Sequence, residues 1–297
     1  MTTDISIVIP NYNGEHLLPK HLPKVISAKE YKKNKILEVI IVDDASKDNS
    51  AKLIKENFKD VKLIQHKINR GFSASVNTGV RSSKGDFIVL LNTDVSPDKD
   101  FLQSVLPHFK DDSVFAVSFQ EKGYGWAKGK FENGFIVHEP GSETKDVHES
   151  FWASGGSAIF RRSQWISLGG LDEKLFKFYW EDVDLAYRAQ KRGLKILWEP
   201  KSHVTHNHES VTSVTFGRNT LQKMKEKNHL LFIWKNLTSP NLFRKHLLGL
   251  VGRISRNPGY LLVVASSLTK IRQILKARNR EKKEGKISDE AIFAKFS

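Results

Sequence analysis

The amino-acid sequence predicts an α/β fold: a mostly parallel sheet flanked by helices, followed by a C-terminal helical extension. Three observations lead there. Short, almost wholly apolar, β-branched runs alternate with helical periodicity through the first third of the chain, as in strands buried on both faces and joined by helical crossovers. Polar clusters follow these runs, at the strand ends where open α/β sheets bind ligands. Further on, strand-like runs give way to apolar residues at three and four spacing among Lys and Arg. Residues 1–212 are expected to form the sheet domain, in halves of about 1–95 and 96–212, with 213–297 as the extension.

Taken in order, residues 5–9 read as the first strand, ended by Pro10-Asn11-Tyr12-Asn13-Gly14. Leu17, Leu18, Leu22, Val25 and Ile26 mark a helix, and strand 39–42 then meets Asp43-Asp44. Helix 50–58, strand 61–65, the loop Asn69-Arg70-Gly71, helix 72–80 and strand 87–91 continue the alternation to Asn92-Thr93-Asp94. Segment 120–151 carries Gly123, Gly125, Gly129, Gly134 and Gly141 and breaks the rhythm, as a cover over a site would. Ser154-Gly155-Gly156 leads into strand 157–161, its glycines suited to close backbone approach.

Trp180-Glu181-Asp182-Val183-Asp184 sets three carboxylates beside Phe176, Phe178 and Tyr179. Leu185, Arg188, Ala189 and Arg192 keep helical spacing until Gly193, so Glu181 and Asp182 fall in a first turn, where the macrodipole favours acids. Two readings stand: a helix start with N-terminal acids, or desolvated carboxylates with pKa values raised towards that of a general base. His203, His206 and His208 read as a strand with one face turned to the same region. Helices are expected at 216–234, 242–254 and 260–276, punctuated by Pro240 and Pro258, with 278–286 a solvated or frayed end.

With no cysteine the chain has no disulfide, thiolate ligand or thiol redox chemistry. The N-terminus lacks a basic segment followed by a long apolar run, and the longest later run is far below the roughly 20 residues of a membrane span. A cytoplasmic protein is the expectation. The net charge of +15 lies almost wholly after residue 217, where 18 Lys and Arg face 5 Asp and Glu. A near-neutral body with a basic tail argues against nucleic acid as partner. It suits an anionic membrane surface beneath amphipathic helices; a helical cap or a homodimer interface are the alternatives. The first turn carries no GxGxxG and the chain no GxxxxGK[ST]. Acids at strand ends holding Mg2+ or Mn2+ on a diphosphate remain open, and Asp94 and Asp43-Asp44 are placed either for that or as turn residues.

SIVIPNYNG, VIIVDDASKD, NRGFSASVNTGV, GDFIVLLNTDV, ASGGSAIFRR and GGLDEKLFKFYWEDVDLAYRAQKRG, followed by the histidine cluster, resemble in order the family 2 glycosyltransferases of GT-A fold. Among these the bacterial rhamnosyltransferase and galactofuranosyltransferase-like members look most similar, over about residues 5–210. The resemblance implies inverting, metal-dependent sugar transfer from a nucleotide diphosphate, dTDP- or UDP-linked, to a glycan or lipid-linked acceptor in bacterial surface polysaccharide synthesis. It places Tyr12 near the nucleobase, Asp44 on the base's edge, and Pro10, Asn11 and Asp43 around that pocket. Arg70 and Gly71 would stand near the phosphates. Asp94 matches the last acid of a DxD-like metal motif, with Asn92 where many relatives carry Asp and Thr93 between. His206, with His208 as rival, matches the histidine that ligates the metal in the related subgroup. Asp182 matches the catalytic base; Glu181 and Trp180 would support it, and Trp152, Ser154, Gly155 and Gly156 would line the sugar and acceptor region. The opposing reading is a binding module, either a catalytically silent relative or a nucleic-acid binder.

Overall fold

The computed structural model describes residues 3–142, 144–207 and 217–296. Its first half runs β1 (Ile5–Asn11), α1 (Leu18–Glu30), β2 (Ile36–Asp43), α2 (Ser50–Asn57), β3 (Val61–Gln65), α3 (Phe72–Ser82), β4 (Phe87–Leu91) and β5 (Val95–Pro97). The second continues β6 (Val114–Glu121), a hairpin of β7 (Ala127–Glu132) and β8 (Phe135–Pro140), β9 (His148–Glu149), β10 (Ser157–Arg161), α4 (Arg162–Leu168), α5 (Glu181–Lys191) and β11 (Lys195–His206). Among the described residues five helices follow: α6 (Arg218–Asn236), α7 (Pro240–Arg256), α8 (Tyr260–Leu268), α9 (Ile271–Glu284) and α10 (Asp289–Ala294).

The main sheet has the order β3-β2-β1-β4-β10-β6-β11-β5, with β9 on β11. Strands β3, β2, β1 and β4 are parallel; β10 is antiparallel to both β4 and β6, and β11 is parallel to β6. The β-branched runs form its centre because both faces are covered. Along β1, Ile7 and Ile9 face the layer containing α1, while Val8 faces the layer of α3, α4 and α5. The carboxyl ends of β1, β2, β3, β4, β6 and β11 therefore open on one edge, which carries Pro10-Asn11-Tyr12, Asp43-Asp44, Asn69-Arg70-Gly71 and Asn92-Thr93-Asp94.

The C-terminal helices pack against the sheet domain. A single core joins the β7–β8 hairpin, Phe151 and Tyr187 to Leu230, Phe232, Ile292 and Phe293, so residues on both sides of the expected boundary share one interior. Glycines permit the tightest contact: a Cβ on Gly249 of α7 would lie 2.4 Å from the Asn133 carbonyl oxygen in the hairpin turn. No helix among the described residues is long and apolar enough to cross a membrane.

Three expectations need correction. Helix 260–276 is two helices, because Ser267 Oγ returns to the Val263 carbonyl (2.8 Å) and Thr269 Oγ1 to that of Ser266 (2.7 Å), side-chain bonds that compete with helix propagation. Segment 278–286 is not frayed: α9 runs to Glu284, and Glu281 is buried against Arg192 (2.7 Å). His203 does not share a face with His206, since their odd spacing puts them on opposite sides of a strand; His203 is exposed. His208 lies outside the described residues, as does the start of the helix expected at 216.

Candidate functional site

At the end of β1, Asn11 Nδ2 donates to Asp43 Oδ1 (2.8 Å) and Ser46 Oγ (3.2 Å), joining the first two strand ends beneath Pro10 and the half-buried Tyr12. Asp44 is buried and accepts from His66 Nδ1 (2.7 Å), from the Arg70 backbone N–H with both oxygens (2.9 and 3.1 Å), and from the Gly71 N–H (2.7 Å). A carboxylate has about four acceptor sites, so Asp44 holds the Asn69-Arg70-Gly71 loop; taking a further donor requires one of these to give way. Gly71 sits at φ +92°, and a Cβ there would meet Lys177 Cβ at 3.0 Å and its carbonyl oxygen at 3.1 Å. The Arg70 guanidinium is partly exposed and reaches Glu173 at 3.1 Å.

Beyond β4, Asn92-Thr93-Asp94 turns towards the last residues of β11. Asp94 Oδ1 lies 3.2 Å from His206 Nε2, and His206 Nδ1 lies 2.9 Å from Glu121 Oε2 at the end of β6. Burial alone would lower the His206 pKa, but the two carboxylates outweigh it and raise it to about 9. Burial would raise the Asp94 pKa, yet His206 holds it below the ordinary value. Among the described residues no three His, Asp or Glu side chains converge as a ready-made metal cage. The donor set nevertheless suits a cation: an imidazole nitrogen and a carboxylate oxygen stand 3.2 Å apart, and would hold an ion once the proton on the His206 ring is displaced. The second ring nitrogen tied to a carboxylate is also the usual support of a metal-bound imidazole. Glu121 escaped the sequence reading because it ends an apolar strand and has no motif around it.

The Ser154-Gly155-Gly156 turn connects this pair to α5. Gly156 accepts from the Asn92 N–H (3.0 Å) and leaves no room for a side chain, since a Cβ would fall 2.3 Å from Asn92 Nδ2. Gly155 N–H donates to Asp182 Oδ2 (3.2 Å), and Val183 N–H to Asp182 Oδ1 (2.8 Å). Burial raises the Asp182 pKa against these two bonds. Asp184, by contrast, is fully buried and structural: Arg188 Nε (2.8 Å), Lys235 Nζ (2.9 Å) and Asn236 Nδ2 (2.8 Å) surround it.

Tyr179 and Trp180, just before α5, both adopt positive φ, +66° and +73°. Such a conformation costs on the order of 1–3 kcal/mol per non-glycine residue unless its surroundings hold it. Asn228 of α6 does so, its Nδ2 donating to the carbonyls of Phe178 (2.9 Å) and Tyr179 (3.1 Å). Asn228→Ala is expected to lower the unfolding free energy by about 1–3 kcal/mol, read from a denaturant melt. An unchanged melt would show that the turn holds itself.

Around Trp180 and Asp182 lies a cavity of about 480 Å3 lined by the hairpin, the α5 start, α6 and α7. Trp180 stacks on His229 (4.4 Å between centroids, 6° between planes), and His138 stands 5.6 Å from both Trp180 and Trp152. Burial lowers the pKa of His138, and burial with the charge of Arg253 and its neighbours lowers that of His229 to about 4, so both rings are neutral at pH 7. Lys225 Nζ lies over the Tyr179 ring at 4.5 Å, and Arg253 pairs with Glu226 at 3.3 Å. Trp152 and Trp180 are thus cavity walls as well as packing residues. The cavity's α6 and α7 residues were invisible in sequence, where they read as ordinary positions of amphipathic helices.

The sequence model of Glycosyl transferase family 2 matches residues 6–164, more than half the chain. The pre-mycofactocin glycosyltransferase of Mycobacterium tuberculosis is 28% identical over 221 residues, which cover 70% of this chain and 43% of that protein. The chain spans less than half the length of this relative. Among solved structures, GalNAc-T7 with UDP, GalNAc and Mn2+ superposes with TM-score 0.64 at 19% identity, covering 79% of this chain and 48% of that one. The mannosyltransferase PcManGT of Pyrobaculum calidifontis, with GDP-Man and Mn2+, gives 0.58 at 16% identity, covering 95% and 86%. These likenesses define a GT-A fold.

Proposed function

The chain belongs to glycosyl transferase family 2, and on that premise we propose that it moves a sugar, with inversion, from a nucleotide diphosphate to a hydroxyl of a glycan or lipid-linked glycan. The observation that carries this is the Gly155-Gly156 turn, which ties Asn92, beside the Asp94–His206 pair, to Asp182, at the mouth of the aromatic cavity. A donor diphosphate belongs at the first of these, the acceptor at the second.

Asp94 and His206, with Glu121 behind, would hold a divalent cation, Mn2+ or Mg2+; when bound it supplies neutralisation of charge on the leaving diphosphate. Tyr12, Pro10, Asn11 and Asp43 border the nucleobase pocket, and Arg70 stands over the phosphates on the loop that Asp44 and Gly71 fix. Asp182, anchored by two backbone N–H groups, takes the proton of the acceptor hydroxyl as its oxygen attacks the anomeric carbon. The acceptor sugar stacks against Trp180 and Trp152. Both Mn2+-bound structures named above support the metal, and their UDP and GDP-Man support a nucleotide-diphosphate donor of hexosyl type; the dTDP-linked, rhamnosyl alternative rests on the sequence resemblance alone.

Leu248, Val251, Leu261 and Leu262 on α7 and α8 are more than half exposed amid the basic residues of the tail. This supports peripheral contact with the cytoplasmic face of an anionic membrane, the setting of bacterial surface polysaccharide synthesis. Each basic residue near such a surface contributes about 1 kcal/mol. Co-sedimentation with anionic but not neutral vesicles, weakened by Leu248→Asp, is the expected result; a salt-insensitive dimer with no pelleting would point to self-association.

Release of nucleotide from a panel of sugar donors, with acceptor glycans and Mn2+, tests the transfer itself. Asp94→Asn is expected to slow it roughly 10²–10³-fold, the scale of losing one stabiliser of developing charge. Turnover insensitive to both Asp94→Asn and chelator would remove the metal from this account.

A further inference from the structure

The residue beside the proposed base behaves unlike it. Glu181 opens α5, is only 6% exposed, and lines the same cavity as Asp182, yet its Oε2 is buried with no hydrogen-bond partner. Asp182 accepts two backbone N–H bonds, while no N–H or cation among the described residues bonds to that oxygen of Glu181. The charged groups facing the cavity are committed elsewhere: Lys225 lies over Tyr179, and Arg253 is paired with Glu226. Its histidines, His138 and His229, are neutral at pH 7. The nearest charges on its own helix are the carboxylates of Asp182 and Asp184, both of which repel a second anion.

A buried carboxyl group with one oxygen left without donor or cation, next to other acids, keeps its proton on that oxygen, the backbone N–H bond of Glu181 to its own side chain being outweighed by burial. Two adjacent acids whose surroundings differ in this way divide the roles, one ionised and one neutral. We propose that Glu181 is a neutral carboxylic acid that donates a hydrogen bond to an oxygen of the acceptor sugar, positioning the reacting hydroxyl on Asp182. The unpartnered oxygen is the atom the acceptor satisfies. Burial, then the charges of Asp182 and Asp184, push the Glu181 pKa well above the ordinary carboxyl range. The donor is therefore present below that raised value and lost as pH rises through it, which weakens acceptor binding on the alkaline side.

This inference rests on the transferase reading, and its test separates the two. Glu181→Gln keeps a neutral N–H donor of the same shape; Glu181→Ala removes it. In the full chain, Glu181→Gln is expected to keep kcat/KM for the acceptor close to wild type and to lose the alkaline decline. Glu181→Ala is expected to raise the acceptor KM roughly tenfold, the worth of one hydrogen bond, with donor KM unchanged. Carbon NMR of carboxyl-labelled glutamate, with the Glu181 signal assigned by its absence in Glu181→Gln, should show the protonated position at pH 7 whether or not transfer is detected. A wild type that transfers nothing while Glu181 remains protonated would refute the transferase reading alone. An ionised Glu181 signal at pH 7, a Glu181→Gln protein as impaired as Glu181→Ala with an unchanged melting temperature, or a Glu181→Ala protein with normal acceptor KM would each overturn the proposal.

Discussion

Asp182→Asn is expected to lower kcat by roughly 10²–10⁴, the range over which a positioned general base contributes, while leaving donor binding near wild type. The two N–H groups bond to different oxygens of Asp182, so the single amide oxygen can keep the shorter bond from Val183 (2.8 Å) at the start of α5 but gives up the one from Gly155 (3.2 Å). What disappears is the lone pair able to take a proton. Burial raises the Asp182 pKa, so in the wild type the ionised, active form is present above that raised value and lost as pH falls through it. An acidic limb that vanishes in Asp182→Asn, together with unchanged nucleotide affinity, identifies the base. A fall of less than about tenfold would assign the proton to another group, since general bases contribute at least 10²-fold.

Lys235→Ala is expected to destabilise the protein by about 3–5 kcal/mol, the usual cost of removing one partner from a buried ion pair. Lys235 Nζ of α6 bridges Asp184 (2.9 Å) and Asp172 (2.9 Å), with its side chain 3% exposed. Burial would push the Asp184 pKa up, but Lys235 and Arg188 hold it below its ordinary 3.8. A depressed native pKa contributes stability that is present above the unfolded value and lost as pH falls through the native one. Without Lys235 the acid-unfolding midpoint should therefore move to higher pH. A denaturant melt across pH reads both effects; an unchanged midpoint would mean that Arg188 and Asn236 suffice.

The sheet was legible from sequence because burial on both faces leaves continuous β-branched runs: strands 61–65, 87–91 and 157–161 were expected at the residues where they lie. The strand-end clusters were legible for the same reason, since polar residues interrupting such runs must sit at the sheet's edge. Contacts made across the chain were not. Glu121, at one ring nitrogen of His206, stands between Gln120 and Lys122, and Asn228, under the Tyr179–Trp180 turn, between Lys227 and His229, so in sequence both look like solvated positions and only tertiary packing gives them partners. The short helix α10 escaped because six residues carry too little periodicity, although Asp289 binds it to Lys191 at 2.7 Å. The tail's charge was legible but not what its apolar face packs on, which is a core shared with the β7–β8 hairpin and α5.

Thermal unfolding with UDP, dTDP and GDP and their sugar conjugates, each with Mn2+ and with chelator, reads metal-dependent donor binding without needing the acceptor. A ligand held only by the native state at about 100 times its Kd adds roughly 2.7 kcal/mol. A rise in melting temperature for one nucleobase class, present with Mn2+, abolished by chelator and absent in Asp94→Asn, is the predicted result. No rise with any nucleotide in the presence of Mn2+ would contradict it and leave the chain as a member of its family that serves as a binding module instead.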